Sequence, residues 1–271
     1  CFYRFALPAQ VGSLVCMNGS IRIGALAFAV CLWGVSLRGN EAFEAKSFSS
    51  PNGGSLLYRI HKADGLEGKA TGPLVFFLHG AGERGSDNEK QLNHGVSDIL
   101  AYARADGIPV TIVAPQCPLG KQWVDTPWGD LSHKMDKEPS DSMRMAMELL
   151  DKIIESQPVD RKRIYVTGLS MGGFGTWDII QRQPKVFAAA MPVCGGGDPA
   201  FAKKLKKMSL WAFHGDSDTV VKTQRSRDMI DAIRKKGGNP LYTEYKNTKH
   251  NAWEPTYSDN TVLNWLFEQR R

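Results

Sequence analysis

The sequence predicts an α/β domain: a mostly parallel, doubly wound sheet with a β-hairpin at its N-terminal end. Three observations carry that expectation. Apolar runs of strand length, residues 74–78 and 110–114 among them, lack the alternation of a half-exposed strand, so both of their faces must be covered. Stretches with apolar residues at helical spacing separate such runs, and strands alternating with helices imply crossover connections. Several runs end in glycine-dense loops, and open parallel sheets collect their chemistry at the carboxyl ends of the strands.

Taken in order, 43–48 and 56–60 flank Pro51-Asn52-Gly53-Gly54 and read as the hairpin, with Leu56, Tyr58 and Ile60 on its buried face. A polar connector, 65–72, leads to a central strand over 73–78 and the loop His79-Gly80-Ala81-Gly82-Glu83-Arg84-Gly85. Residues 87–103 place Leu92, Val96, Ile99, Leu100 and Ala103 at helical spacing before Gly107. The strand at 110–114 runs into Pro115-Gln116-Cys117-Pro118. The next segment, 119–138, has no period, and a stretch of that kind in a compact domain is usually functional or mobile. A helix follows over 140–156, its stripe formed by Met143, Met147, Leu150 and Ile154. Then come a strand at 164–166, a helix over 174–182 stopped by Pro184, and strands at 186–193 and 209–213. The end of the chain reads as a helix over 223–236, a last strand at 241–245 and a helix over 258–269.

With 271 residues, 42% of them hydrophobic, the chain can build one large domain with a full core. Its formal charge of +6 is spread out. The densest basic run, Lys203-Lys204-Leu205-Lys206-Lys207, falls in a short amphipathic pattern and reads as a solvated helix face. No nucleic-acid-binding motif accompanies it, so no nucleic-acid partner is expected. Met17 precedes a basic segment and an apolar run, 23–37, too short for a comfortable membrane span. Residues 1–42 are therefore expected to be an upstream extension plus signal peptide starting at Met17, and 43–271 an exported domain, periplasmic or extracellular, without stable membrane insertion.

Residues 163–176, RIYVTGLSMGGFGT, place Gly-x-Ser-x-Gly between a short β-prone run and a helix, the context of a nucleophile elbow at Ser170. A serine hydroxyl attacks only when a base takes its proton and a third group orients that base. Of six histidines, only His250 lies beyond the last strand. His79 and His214, each before a glycine at a strand end, read as structural hydrogen-bonding residues. The acid is Asp216 or Asp218, and spacing alone does not separate them. Serine, aspartate, histidine is the chain order of α/β-hydrolases. The oxyanion donors expected for such a site are the backbone N–H groups of Met171 and Ala81. No His-Glu-x-x-His and no Cys/His cluster at ligand spacing is present, so neither metal nor cofactor is expected, and Asp130, His133, Asp136 and Glu138 read as a solvated loop. Cys117 and Cys194 follow strands that the usual order of this fold holds about 14 Å apart, too far for a disulfide, and should be free thiols.

The motifs HGAGERGSDN, APQCP, GLSMGGFGTW, HGDSDTVV and HNAWEPTY together resemble the α/β-hydrolase group of polyhydroxybutyrate-depolymerase-like and feruloyl/acetylxylan-esterase-like proteins. Members of the group are also labelled predicted peptidases or dienelactone-hydrolase-like. The resemblance spans nearly all of 43–271. It implies that Asp218 is the acid and His250 the base, and that Gln116, Trp123 and Trp253 lie near the acyl or leaving-group pocket. It also implies a secreted serine ester hydrolase without a large lid, acting on bulky or polymer-attached esters. A prolyl-oligopeptidase-type peptidase is the rival enzymatic reading, against which stands the lack of a preceding propeller. A non-catalytic binding module on the same scaffold is the third.

Overall fold

The computed structural model describes residues 42–271 except 67 and 69, so the expected leader, with Met17 and the 23–37 run, lies outside the described residues. In chain order the strands are β1 (Glu44–Ser49), β2 (Ser55–His61), β3 (Gly72–Leu78), β4 (Thr111–Gln116), β5 (Val159–Leu169), β6 (Ala189–Val193), β7 (Ser209–Gly215) and β8 (Leu241–Tyr245). They form one sheet in the order β1-β2-β4-β3-β5-β6-β7-β8. β1 pairs antiparallel with β2, and β2 with β4, while every other neighbouring pair is parallel. The helices are α1 (Val96–Ala105), α2 (Asp141–Ser156), α3 (Met171–Arg182), α4 (Ala202–Leu205), α5 (Gln224–Lys235), α6 (Trp253–Ser258) and α7 (Asn260–Glu268).

The sheet separates two apolar layers. Leu74, Phe76 and Leu78 of β3 face a layer that includes α2, α3 and α5, whereas Val75 and Phe77 face α1, α6 and α7. Alternation within one fully apolar strand thus feeds two cores, the physical reason the run carries no polar residue. Strand order reverses between β3 and β5, since β4 lies on one side of β3 and β5 to β8 on the other. The loops after β3 and β5 open onto that crevice, where open α/β sheets bind ligands.

Four elements differ from the sequence expectation, and the first is β5, which spans Val159–Leu169 rather than 164–166. The helix expected over 87–103 begins only at Val96. Asp87 accepts from the N–H groups of Glu89 and Lys90, and Gly95, at φ 73°, breaks the turn beneath the ring of Tyr257. The strand expected over 186–193 starts at Ala189. The helix expected over 258–269 is α7, begun after Asp259, whose carboxylate accepts from Thr261 N–H at 2.8 Å, and it is preceded by α6, a short helix the sequence does not predict. Cys117 and Cys194 are buried free thiols that directly follow β4 and β6, strands three positions apart in the sheet. Among the described residues no helix is long and apolar enough to cross a membrane.

Candidate active site

Ser170 sits between β5 and α3 with φ 53° and ψ −117°, a conformation costly for any residue with a Cβ. Two backbone bonds hold it: its N–H donates to Val193 O at 2.9 Å, and its own carbonyl accepts from Phe174 N–H at 3.1 Å. The flanking glycines are required by close approach. A Cβ on Gly168 would stand 2.4 Å from Leu78 O, and one on Gly172 only 1.8 Å from the same atom.

The structure brings Ser170, Asp218 and His250 together. His250 Nε2 lies 2.8 Å from Ser170 Oγ, and His250 Nδ1 lies 2.7 Å from Asp218 Oδ2. The other carboxylate oxygen accepts from Val220 and Val221 N–H at 2.9 and 3.0 Å. Burial pushes the Asp218 carboxyl up, but bonds from His214 and His250, the His250 charge and the Val221 N–H outweigh it and hold the group well below the usual carboxylate range. Asp216, the alternative acid, is exposed and bonds Ser217 Oγ at 2.7 Å.

His214 is a partner of the acid that the sequence reading left as a structural residue. Its Nε2 donates to Val221 O at 3.0 Å and lies 3.2 Å from Asp218 Oδ2, while Nδ1 bonds Ser226 Oγ at 2.8 Å. The i, i+4 spacing from His214 to Asp218 was the signal available. Cys194, His214 and Asp218 are also the one group of metal-ligand types among the described residues within 4.8 Å of one another. Hydrogen bonds already engage all three, and burial pushes the Cys194 thiol up, so it stays protonated.

Met171 N–H opens α3, and Ala81 N–H opens a short 3-10 turn, Ala81–Glu83. Among the described residues neither has an assigned acceptor. Arg84 steadies that turn by donating from Nε to Ala81 O at 2.9 Å, with its guanidinium 5.7 Å from the Trp128 ring centre.

The three pocket residues implied by the resemblance separate. Trp253 meets the site: its ring stands edge-on to the His250 imidazole, 5.3 Å between centres at 90°. Gln116 and Trp123 do not offer free groups to a cleft. Gln116 is 1% exposed, and its amide accepts from Asn88 N–H and donates to Glu83 O and Asp87 Oδ1, pinning the loop after β3. Trp123 is fully buried beside Gly175 and donates from Nε1 to His79 O at 3.1 Å. The loop over 119–138 is likewise more than a solvated segment. Arg225, 2% exposed, donates to Asp130 O and His133 Nδ1; Arg182 donates to Asp136 O and Lys137 O; Asp198 accepts from Met135 N–H.

His79 closes the network. Cys117 N–H donates to its Nε2 at 2.9 Å, so Nδ1 carries the proton and donates to Gly80 O at 2.6 Å. Burial pushes its pKa down from 6.5 to about 4. The ring stays neutral when folded but takes a proton when unfolded, so its stabilisation is complete above pH 6.5 and is lost as pH falls toward 4. Melts by calorimetry should lose on the order of 2–3 kcal/mol over that window. His79→Gln should flatten the slope, whereas a wild-type Tm constant from pH 7 to pH 4 would remove the argument.

Fold and elbow together define an α/β-hydrolase. The sequence profile of the phospholipase/carboxylesterase family matches residues 66–259, and the chain belongs to that family. It is 22% identical over 193 residues to a bifunctional acetylxylan esterase/xylanase of Neocallimastix patriciarum, covering 71% of this chain and 26% of the relative. It is 28% identical over 196 residues to poly(3-hydroxyalkanoate) depolymerase C of Paucimonas lemoignei, covering 70% and 43%. The chain thus spans less than half the length of these curated relatives. A solved thermostable esterase superposes with a TM-score of 0.79 at 34% identity, over 86% of this chain and 64% of that one.

Proposed function

We propose that the chain hydrolyses carboxylic esters through an acyl-enzyme on Ser170, with His250 as general base and Asp218 as the acid that orients it. The observation that carries this reading is the continuous contact from Ser170 Oγ through the imidazole to Asp218, at 2.8 and 2.7 Å. His250 Nε2 takes the serine proton as Oγ bonds to the ester carbon. The carbonyl electrons move onto oxygen, opposite the N–H groups of Met171 and Ala81. Collapse expels the alcohol, which receives the proton from His250, and water repeats the sequence to free the acid.

The substrate class we favour is a bulky or polymer-attached ester, and the setting an exported one. Only residues 194–208 separate β6 from β7, too few for a lid domain, and the His250 side chain retains 19% exposure. The relatives, an acetylxylan esterase/xylanase and a polyhydroxyalkanoate depolymerase, act in name on polymers. Turnover of acetylated xylan, feruloyl, hydroxybutyrate and peptide substrates separates the readings. Hydrolysis of peptides alone would favour the peptidase, and no turnover of any would favour a binding module.

The acid assignment has its own test. Asp218→Asn should lower kcat by about 10⁴-fold with p-nitrophenyl acetate, while Asp216→Asn should leave it unchanged. The N–H groups of Val220 and Val221 require an acceptor, so an asparagine turns its NH₂ toward His250 Nδ1. The imidazole then carries its proton on Nε2 and cannot take one from serine. Equal losses in both variants would unseat Asp218.

A further inference from the structure

We propose that a basic hollow on the rim of the sheet opposite Ser170 binds the carboxylate groups of an acidic polysaccharide. This rests on the polymer-ester reading above and adds a second site to it. The turn leading into β6 and the segment from α4 into β7 enclose a cavity of about 640 Å³. Lys185, Lys203, Lys204, Lys206 and Lys207 line it, Arg270 and Arg271 close one side, and no acidic residue contributes to its wall. The volume is that of a small-ligand pocket, enough for a short run of sugar rings.

These ammonium groups are uncompensated. Lysine ion pairs among the described residues belong to Lys46, Lys62 and Lys90, none of them here. Asp160 engages Arg270 at 2.9 Å, and Asp151 and Glu155 line an adjoining groove that shares Lys185 and Arg271, so the field is strongest at the α4 end. Lys204 is turned aside, donating to Gln181 O at 3.2 Å with its ammonium 4.7 Å from the Phe201 ring centre. Lys203, Lys206 and Lys207 are exposed and remain for a ligand. Like charges crowded in a hollow repel, and a bound anion relieves that repulsion.

Shape and lining select the class of anion. A bilayer needs a flat or convex face with protruding apolar side chains; this face is concave, and the large exposed hydrophobic residues, Leu119, Leu131, Val220 and Leu241, do not line it. Single-stranded nucleic acid needs aromatic platforms, and the one ring lining the hollow, Phe187, is 2% exposed. Carboxylates spaced along a glycan need only compact cations around a channel. β6 and β7 begin at this hollow; β6 ends at Val193, whose carbonyl accepts from Ser170 N–H, and β7 ends at the loop carrying Asp218, about 20 Å away by strand length. A polymer held here leaves the serine unobstructed.

The test uses Ser170→Ala protein, so that binding is read without turnover. In affinity electrophoresis polygalacturonate should retard it at about 50 mM salt and release it near 300 mM, where screening is short-ranged. Neutral arabinoxylan should not retard it. Lys203→Gln/Lys206→Gln/Lys207→Gln should weaken retention at least about tenfold, and the triple Lys→Arg variant should keep it. In the Ser170 background both triples should turn over p-nitrophenyl acetate at the wild-type rate, a readout of the ester reading that is independent of binding. Equal retention of wild type and the Gln triple would overturn the proposal. So would tighter binding of a DNA duplex or of phosphatidylserine vesicles, which would give the hollow to another class of partner.

Discussion

Ser170→Ala should lower kcat for p-nitrophenyl acetate by about 10⁴- to 10⁶-fold, and adding His250→Ala should cost almost nothing more. The two residues act as one unit: without the hydroxyl the imidazole has no proton to take, and without the base the hydroxyl is a poor nucleophile. The single and double variants should therefore share the residual rate that backbone donors and binding sustain. The contact of 2.8 Å between Oγ and Nε2 is what couples them. Steady-state rates checked by a pre-steady-state burst measure this directly. A Ser170→Ala protein as active as wild type would remove the nucleophile assignment.

Gly172→Ala should be the most destabilising glycine-to-alanine substitution among the described residues, losing about 4 kcal/mol or more and the activity with it. The new methyl would stand 1.8 Å from Leu78 O, 2.5 Å from Leu78 C and 2.7 Å from His79 O. All three are backbone atoms of the central strand and its loop, so no rotamer change can relieve the overlap. Moving α3 away would shift Met171 N–H and release Ser170 from its strained geometry. Urea unfolding beside Gly129→Ala, where no atom lies within 4 Å of the added carbon, gives the comparison. A loss in Gly172→Ala no larger than that of the control would show that the elbow tolerates separation from β3.

Much of this architecture is written locally. Continuous apolar runs specify buried parallel strands, and Gly-Leu-Ser-Met-Gly between strand and helix specifies the elbow, because only residues without a Cβ fit so close to β3. The order of Ser170, Asp218 and His250 along the chain was equally legible. Gly95 was not read as a break, since its positive φ and the Tyr257 ring against it depend on a residue far along the chain. The same holds for α6, a short helix with too few turns for a period to show.

The sequence by itself determined the class of fold, the elbow and the residue types able to act there, all of which follow from side-chain size, polarity and spacing along one stretch of chain. Only the tertiary structure decided that His214 shares the Asp218 carboxylate, that Gln116 and Trp123 brace loops, and that the basic run 203–207 meets Lys185, Arg270 and Arg271 around one hollow. Those outcomes depend on atoms brought within about 3–6 Å by strand order and loop path, and no local pattern encodes such distances.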